Sequence, residues 1–489
     1  MAPINETTIN LFEYGNAEEY SGDIDELEKF LNNIWKCRPR TESFYSDTTE
    51  EESYDNISAS TQKFLTFVGN ANSIRSQRYV GIIKFNNQII NLLPKIFYNN
   101  AKIPPSPNEI EAIHANILWW LSYCDKFKFP KTKASFNSIK SNILEVYIYL
   151  FATHTRHVLN HCIYNSYEEI NNELPFIRGR IDFNTYIKNN LTTGEWHKVS
   201  CLYDSFEYDN LFNRIVKNVS NILLGVSRNH ENKQLLSEII FILDEVQDIQ
   251  ATYRDCERVK INPLFSEMSV VLDYCRLFLS RSVSYSYKND LKVFAFLIPM
   301  ETIFEEFIYG YLKEKSQELD IINLKYQKSD KYLASLYLNG ELKEKNVFNL
   351  KHDIYFEHND INIVCDTKYK LIYSPNTEND VVDKKYGISQ NDLYQMTSYA
   401  IRRKAKELFL IYPQTIREYS EQLLNQVMFE ITDEFSAEKI KIRIFKVPII
   451  HPNFPDIGKT DKIKVEFEKA DEMLFQCFRQ ALGRIKVNE

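Results

Sequence analysis

Glycine and proline are scarce, at 12 and 15 of 489 residues, which excludes a collagenous, linker-rich or glycine-repeat architecture. No apolar run approaches the ~18 residues that span a bilayer. The opening MAPINETTIN also lacks the basic-then-apolar pattern of a secretory signal, so a soluble, cytoplasmic protein with no membrane contact is expected. The eight cysteines, Cys37, Cys124, Cys162, Cys201, Cys256, Cys275, Cys365 and Cys477, include no CxxC pair. Zinc-ribbon, thioredoxin-type and clustered iron–sulfur sites therefore lack their ligand spacing, and the thiols read as buried groups in a reducing compartment. A basic excess is missing too: 59 Lys and Arg face 67 Asp and Glu, for a net charge of −8. Such a chain is not drawn to nucleic acid as a whole, so DNA binding would need local basic patches, metal ions or a partner. A complete phosphate loop is also lacking. IGKT at 457–460 ends like one, but the first glycine of G-x-x-x-x-G-K-T falls on Asn453.

What is present is apolar and aromatic material, 44% hydrophobic with 31 Tyr and 32 Phe, enough for more than one packed core. The length allows two to four domains. Residues 1–104 read as a β-rich module with one helix: TINLFEY, FLTFVG, YVGIIKF and QIINLLP are strand candidates, Asn86-Asn87 a hairpin turn, and DIDELEKFLNNIW has helical spacing. An acidic, polar stretch around 48–53 reads as a solvated loop. Residues 105–290 are mainly helical, as in NEIEAIHANILWWLSYCDKF, SIKSNILEVYIYLFATHTRHVL, NLFNRIVKNVSNILLGV and MSVVLDYCRLFL, with short extended pieces near LPFIRGRIDF and VSCLYDSF. A boundary is placed near 285–292, and residues 291–489 switch to a helix followed by strands, helix and strands.

The chemistry concentrates in FNLKHDIYFEHNDINIVCDTKYKLIY, residues 348–373. If Asn359-Asp360 form a tight turn between two strands, pairing outward from it sets Asp353 opposite Asp366, and alternation puts Lys368 on the same face. Leu350, Ile354, Phe356, Ile361, Ile363 and Cys365 then form an apolar face for the core. Carboxylates within ~5 Å repel and raise a pKa unless a cation sits between them, and Mg²⁺ or Mn²⁺ suits such oxygen ligands. A lysine two residues on can orient a water or stabilise developing charge. On spacing alone, an ordinary solvent-facing hairpin competes with this reading. Upstream, FAFLIPMETIFEEFIYGYL carries a helix with Phe304, Phe307, Ile308 and Tyr311 on one stripe and Glu305 and Glu306 beside it. Downstream, ISQNDLYQMTSYAIRRKAKELFLIYP is a helix followed by an apolar strand. That element order is the one expected of a PD-(D/E)XK core.

The segments resemble McrC, the nuclease subunit family of McrBC-type 5-methylcytosine-dependent restriction systems. The resemblance rests on PMETIFEEF, LKHDIYF, IVCDTKYK and ISQNDLYQMTSYA with FLIYP behind it, and extends to VGIIKFNNQIINLLPKI, LPFIRGRIDF and YDSFEYDNLFNRIVK. It implies an α+β chain, an N-terminal β-rich plus helical region followed by a restriction-endonuclease-like α/β/α nuclease domain at 291–489. Asp353 and Asp366 would bind the metal, Lys368 would be the catalytic lysine, and Glu305 could add a ligand. Gln395 and Tyr399, at i and i+4 on one helical face, would brace the site or touch DNA. Arg402 and Arg403, with Lys404 and Lys406, form a basic helix end suited to backbone contact. His352 stands where the family usually has a proline.

The implied activity is Mg²⁺-dependent cleavage of double-stranded DNA carrying modified cytosine, in anti-phage defence. The implied partner is an McrB-like AAA+ GTPase hexamer, which uses the GTP and is contacted through residues 1–104, and dimerisation through the nuclease domain is compatible with it. A non-catalytic activator of such a GTPase and a stand-alone RecB-like repair nuclease are the alternatives. Weaker signals are His154, His157 and His161 on one helix face, KFKFPKTK at 126–133, and the pair Arg178 and Arg180 in IRGRID, each with an ordinary structural explanation.

Overall fold

The computed structural model describes residues 7–37, 63–68, 72–86, 88–99, 105–124, 143–161, 164–261, 265–281, 293–372, 387–416, 427–432, 439–451, 454 and 466–483. The acidic stretch at 48–53, KFKFPKTK at 126–133 and IGKT at 457–460 lie outside them. In chain order the first elements are β1 (Thr7–Phe12), β2 (Glu18–Glu19), α1 (Ile24–Cys37), β3 (Leu65–Val68), β4 (Ser73–Ser76), β5 (Tyr79–Phe85), β6 (Gln88–Leu93) and α2 (Pro107–Leu121). The middle holds α3 (Ile143–His161), β7 (Ser166–Leu174), β8 (Arg180–Ile181), α4 (Phe183–Thr185), β9 (Val199–Glu207), α5 (Leu211–Val226), α6 (His230–Ile242), α7 (Tyr253–Arg258) and α8 (Ser266–Arg281). The last part holds β10 (Val293–Pro299), α9 (Met300–Glu314), β11 (Ile322–Leu338), β12 (Glu341–His358), β13 (Ile361–Thr367), α10 (Gln390–Arg403), β14 (Glu407–Pro413), β15 (Val427–Thr432), β16 (Lys439–Val447) and α11 (Glu466–Gly483). Among the described residues, no helix is long and apolar enough to cross a membrane.

The chain divides into two compact units, one joining Met1–Ile143 to Ala295–Glu489, the other comprising Leu144–Phe294. This differs from the expected division at 1–104, 105–290 and 291–489. The physical reason is strand pairing: β10 closes the sheet β1-β6-β5-β10, so the chain returning from the middle region enters the N-terminal module before it builds the larger sheet. Side chains reinforce the join, with Trp120 Nε1 donating to the Ile449 carbonyl at 2.9 Å and Tyr123 hydroxyl to Asp471 at 2.7 Å. The boundary expected near 285–292 falls outside the described residues, just before the crossing at Phe294–Ala295.

In the unit Leu144–Phe294, helices α3 and α5–α8 accompany the small sheet β7-β9-β8. LPFIRGRIDF and VSCLYDSF supply extended pieces as expected, but their partner SYEEINNEL is a nine-residue strand that the sequence pattern does not announce. It is largely exposed, so no apolar alternation marks it.

The large sheet runs β11-β12-β13-β14-β16-β15. Its centre is parallel, β13 on β14 on β16, and its flanks are antiparallel. ELFLIYP is buried at every position of β14, the signature of a strand covered on both faces. On one face Phe409, Phe445 and the α11 residue Phe478 meet edge to face, with centroids 5.4 and 6.0 Å apart. On the other, Met396, Tyr399 and Ala400 of α10 pack with Tyr355, Val364, Leu408 and Leu410.

Candidate active site

The β12–β13 hairpin turns at Asn359-Asp360, both with positive φ of 48° and 59°, which is the mirror-image turn that matches strand twist. Pairing outward runs from His358–Ile361 to Ile354–Cys365. One step further out, the backbone N–H and hydroxyl of Thr367 donate to Asp353 Oδ2 at 2.7 and 2.8 Å. Asp353 and Asp366 therefore meet at the open end of the hairpin, with Lys368 Nζ 2.6 Å from Asp366 Oδ2.

The expected apolar face needs correction at two positions. Ile354, Phe356, Ile363 and Cys365 are buried, while Ile361 is half-buried and Leu350 packs instead with Tyr355 and Val364. The carboxylate face is covered too, because α10 lies over Tyr355 and Val364, and Asp366 is only 1% exposed. Asp353 is half-buried. Burial and then the charge of Glu305 push Asp353 up to about 7, against the pull of Lys368 and the Thr367 donors. Burial and then Asp353 push Asp366 to about 7 as well. Burial disfavours the Lys368 ammonium, yet Asp366 and Asp353 outweigh that and hold its pKa above that of a free lysine.

Helix α10 orients the lysine. It begins at Ser389, whose hydroxyl caps the N–H of Asp392 at 3.1 Å. Lys368 Nζ donates to Gln395 Oε1 at 3.2 Å, Gln395 Nε2 to the Tyr399 hydroxyl at 2.6 Å, and that hydroxyl to the Lys351 carbonyl at 2.5 Å. Gln395 and Tyr399 thus form one chain ending on the lysine. His352, in place of a proline, is fully buried between the rings of Tyr355 and Tyr399, with centroids 6.1 and 5.7 Å away. Burial pushes its pKa down to about 4, so it packs as a neutral ring.

Three expected site residues have partners of their own. Arg403 is buried in an ion pair with Asp330 of β11, its guanidinium 5.8 Å from the centre of the Tyr355 ring, so it ties α10 to the sheet instead of offering itself to DNA. Arg402 is exposed, but its Nε donates to the Tyr332 carbonyl at 2.7 Å. Glu305 raises Asp353 by its charge, but its Oε1 accepts from Gln327 Nε2 at 3.0 Å. Among the described residues no three His, Cys, Asp or Glu side chains converge as a ready metal cage. His161 Nδ1 contacts the His157 carbonyl at 2.8 Å. Arg178 covers the Tyr203 ring at 4.2 Å, and Arg180 faces Glu169 at 3.7 Å.

Sequence reasoning overlooked Thr367, Tyr326 and Gln327, and the group Lys370, Asp392 and Tyr412. Tyr326, whose phenol is pushed far up by burial and by Glu305, Glu306 and Asp353, stands beside the carboxylates from β11. Lys370 Nζ reaches Asp392 at 3.2 Å. Only Thr367, between Asp366 and Lys368, could have been flagged from its position in the motif.

Two aspartates with raised pKa values beside a lysine fit a hard cation that completes its shell with waters and substrate phosphate, as Mg²⁺ does, better than they fit an all-protein cage.

Residues 74–413 match the family described as "McrBC 5-methylcytosine restriction system component". Over 98% of its length the chain aligns with all of a chain from a refined half-complex of a tetradecameric assembly of Thermococcus gammatolerans McrB AAA+ hexamers with bound McrC, at a TM-score of 0.59 and 20% identity. A chain of the Thermococcus gammatolerans McrBC complex, seen by cryo-electron microscopy, aligns over 63% of this chain and 88% of its own, with a TM-score of 0.45 and 22% identity. The comparison with curated proteins gave no match.

Proposed function

Because the chain belongs to the family of McrBC 5-methylcytosine restriction system components, we propose that it is the McrC-type nuclease subunit, with the β12–β13 hairpin as the heart of a PD-(D/E)XK site. The partner is an McrB-like AAA+ GTPase hexamer, which binds the GTP, and the substrate is duplex DNA carrying modified cytosine. The observation that carries the nuclease reading is the convergence of Asp353, Asp366 and Lys368 at one end of a hairpin, with the lysine held by Gln395.

Asp353 and Asp366 would hold Mg²⁺ or Mn²⁺, with Glu305 contributing negative potential nearby. The bound ion would neutralise charge on the scissile phosphate and favour hydroxide formation from water. Lys368 stays protonated beside the two aspartates, so it can donate a hydrogen bond to the attacking water or to the phosphate as its charge grows. Gln395 and Tyr399 limit the rotamers open to that ammonium, so its position is set before DNA arrives. Thr367 fixes the Asp353 carboxylate with two donors, so its orientation would be set before an ion binds.

The test is cleavage of methylated and unmethylated plasmid with and without the AAA+ partner and GTP. Cleavage only of methylated DNA with partner and GTP is expected, and it should vanish in Asp353→Ala, Asp366→Ala and Lys368→Ala while partner binding persists. Retained cleavage in clean preparations of all three variants would overturn the site assignment. Stimulated GTPase without nicking would favour the activator alternative, and cleavage by the chain alone a stand-alone nuclease.

A further inference from the structure

Beyond Thr367 the chain leaves the sheet, yet the segment that follows is held by hydrogen bonds at Lys368, Tyr369 and Ile372. Lys368 N–H donates to the Ile411 carbonyl at 2.9 Å, and Lys370 N–H to the Lys368 carbonyl at 2.8 Å. The Tyr369 carbonyl accepts from Lys95 Nζ at 2.8 Å, and the Ile372 carbonyl from Lys446 Nζ at 2.7 Å. Lys446 belongs to the same sheet, but Lys95 comes from the N-terminal module, two residues past β6.

Lys95 is built in firmly. Its ammonium lies 4.4 Å from the centre of the Tyr369 ring and 5.2 Å from that of Tyr14. Its backbone N–H donates to Glu13 Oε2 at 3.2 Å, and Glu13, just after β1, is 1% exposed. Glu13 and Glu301 also face the Tyr369 phenol, which is itself buried against Phe304 of α9 at 5.9 Å. Removing an ammonium and a carboxylate from water costs stability that their attraction only partly returns. Burial pushes Glu13 up to about 7 and Lys95 down in spite of their pairing. An apolar pair would close this interior more cheaply, but it could not hold a carbonyl.

We propose that Lys95 and Glu13 are positioning residues for Lys368: by clamping Tyr369, the next residue, they make the geometry of the nuclease site depend on how the N-terminal strands are seated. This inference rests on the reading of Lys368 as the catalytic lysine. With the Tyr369 carbonyl held by Lys95 and its ring held by Phe304, the peptide plane from Tyr369 to Lys370 cannot rotate freely, and the Lys370 N–H in that plane donates to the Lys368 carbonyl at 2.8 Å, so the clamp reaches Lys368. Without the clamp, small rotations carry Nζ away from Asp366, at 2.6 Å, and from Gln395, at 3.2 Å. A force applied to β1 or β6 therefore reaches the lysine through a few rigid contacts.

The test uses the full-length chain with its AAA+ partner, GTP and methylated plasmid, and compares wild type with Lys95→Met, Glu13→Gln and Lys368→Ala. Cleavage rate, stimulation of partner GTPase and the Mn²⁺ concentration for half-maximal cleavage are read for each. Lys95→Met should cut about 100-fold more slowly, the scale of a misplacement near 1 Å, and need several times more Mn²⁺, with GTPase stimulation within about twofold of wild type. Glu13→Gln should lose about 3- to 10-fold, since it keeps shape and loses charge. Wild-type cleavage and Mn²⁺ dependence in Lys95→Met, beside an inactive Lys368→Ala, would overturn this inference alone. So would parallel loss of cleavage and GTPase stimulation in both Lys95→Met and Glu13→Gln, which is the mark of a structural pair. Cleavage by Lys368→Ala would overturn the reading of the site and this inference with it.

Discussion

Asp353 and Asp366 hold their protons to about pH 7, where a free aspartic acid would have lost its own near 4. Below the unfolded value both states are protonated and the groups contribute nothing. As pH rises towards the folded value, the unfolded state releases protons that the folded state retains, so metal-free stability falls between about pH 4 and pH 7. A divalent cation competes for the same oxygens. Saturating Mn²⁺ is thus expected to raise the unfolding temperature by several degrees at pH 8, on the scale of about 2–3 kcal/mol for a ligand at 100 times its Kd, and to have no effect at pH 5. Differential scanning at the two pH values checks this, and an equal shift at both would count against the aspartates as ligands. Gln395→Ala should leave the fold intact and slow cleavage by about 10- to 100-fold, because it frees the lysine without removing it. At this scale the carboxylates and the lysine were legible, since a strand period of two and a turn-forming pair predict which side chains meet. The places of Arg403 and Glu305 were not legible, because each is decided by a partner on β11, Asp330 and Gln327, far enough away in sequence to leave no local pattern.

Among the elements, α10 carries the lysine brace on one part of its surface and a buried anchor on another. Arg403→Met is expected to lower stability by about 1–2 kcal/mol in urea unfolding: the loss of the ion pair is tempered because Asp330 is half exposed and can return to water. If instead Arg403 served DNA, stability would hold while DNA affinity fell. Helix α9 offers a second check. A Cβ placed on Gly310 would lie 1.8 Å from the Tyr123 carbonyl oxygen, so the end of α2 approaches the α9 backbone directly. Gly310→Ala should cost about 1–3 kcal/mol, opposite in sign to the gain of up to about 1 kcal/mol that helix propensity alone predicts. The apolar stripe of α9 was visible beforehand, with Phe304, Phe307, Ile308 and Tyr311 all buried. Its glycine contact was not, since nothing local in the sequence ties residue 123 to residue 310. Strand β7 escaped notice for a simpler reason, its exposed polar residues carrying no alternation.

For the whole molecule, the pairing of β10 with β5 matters most. The C-terminal region does not begin as a separate unit at the point where its composition changes. Ala295, Leu297 and Ile298 are buried in the strand that joins the N-terminal sheet, and Trp120 bonds to Ile449 across the same unit. A fragment spanning 295–489 should therefore fail to fold alone, and co-expression with 1–143 should restore protease resistance. A folded, cooperative 295–489 fragment would show the join to be dispensable. The acidity of the chain fits delivery of DNA by a partner, since no global attraction does that work.

The hairpin, its turn, the face shared by Asp353, Asp366 and Lys368, the helix carrying Gln395 and Tyr399, and the family to which they belong could all be read from the amino-acid sequence. Those features rest on short-range periodicity and on spacings of a few residues, which a chain displays before it folds. Tertiary structure alone decided that the carboxylate face is roofed by α10, that Arg403 is an anchor, that Lys95 and Glu13 stand behind Tyr369, and that residues 1–143 share a unit with 295–489. Each of these depends on contacts between distant parts of the chain, whose energies become available only after the intervening residues have been ordered.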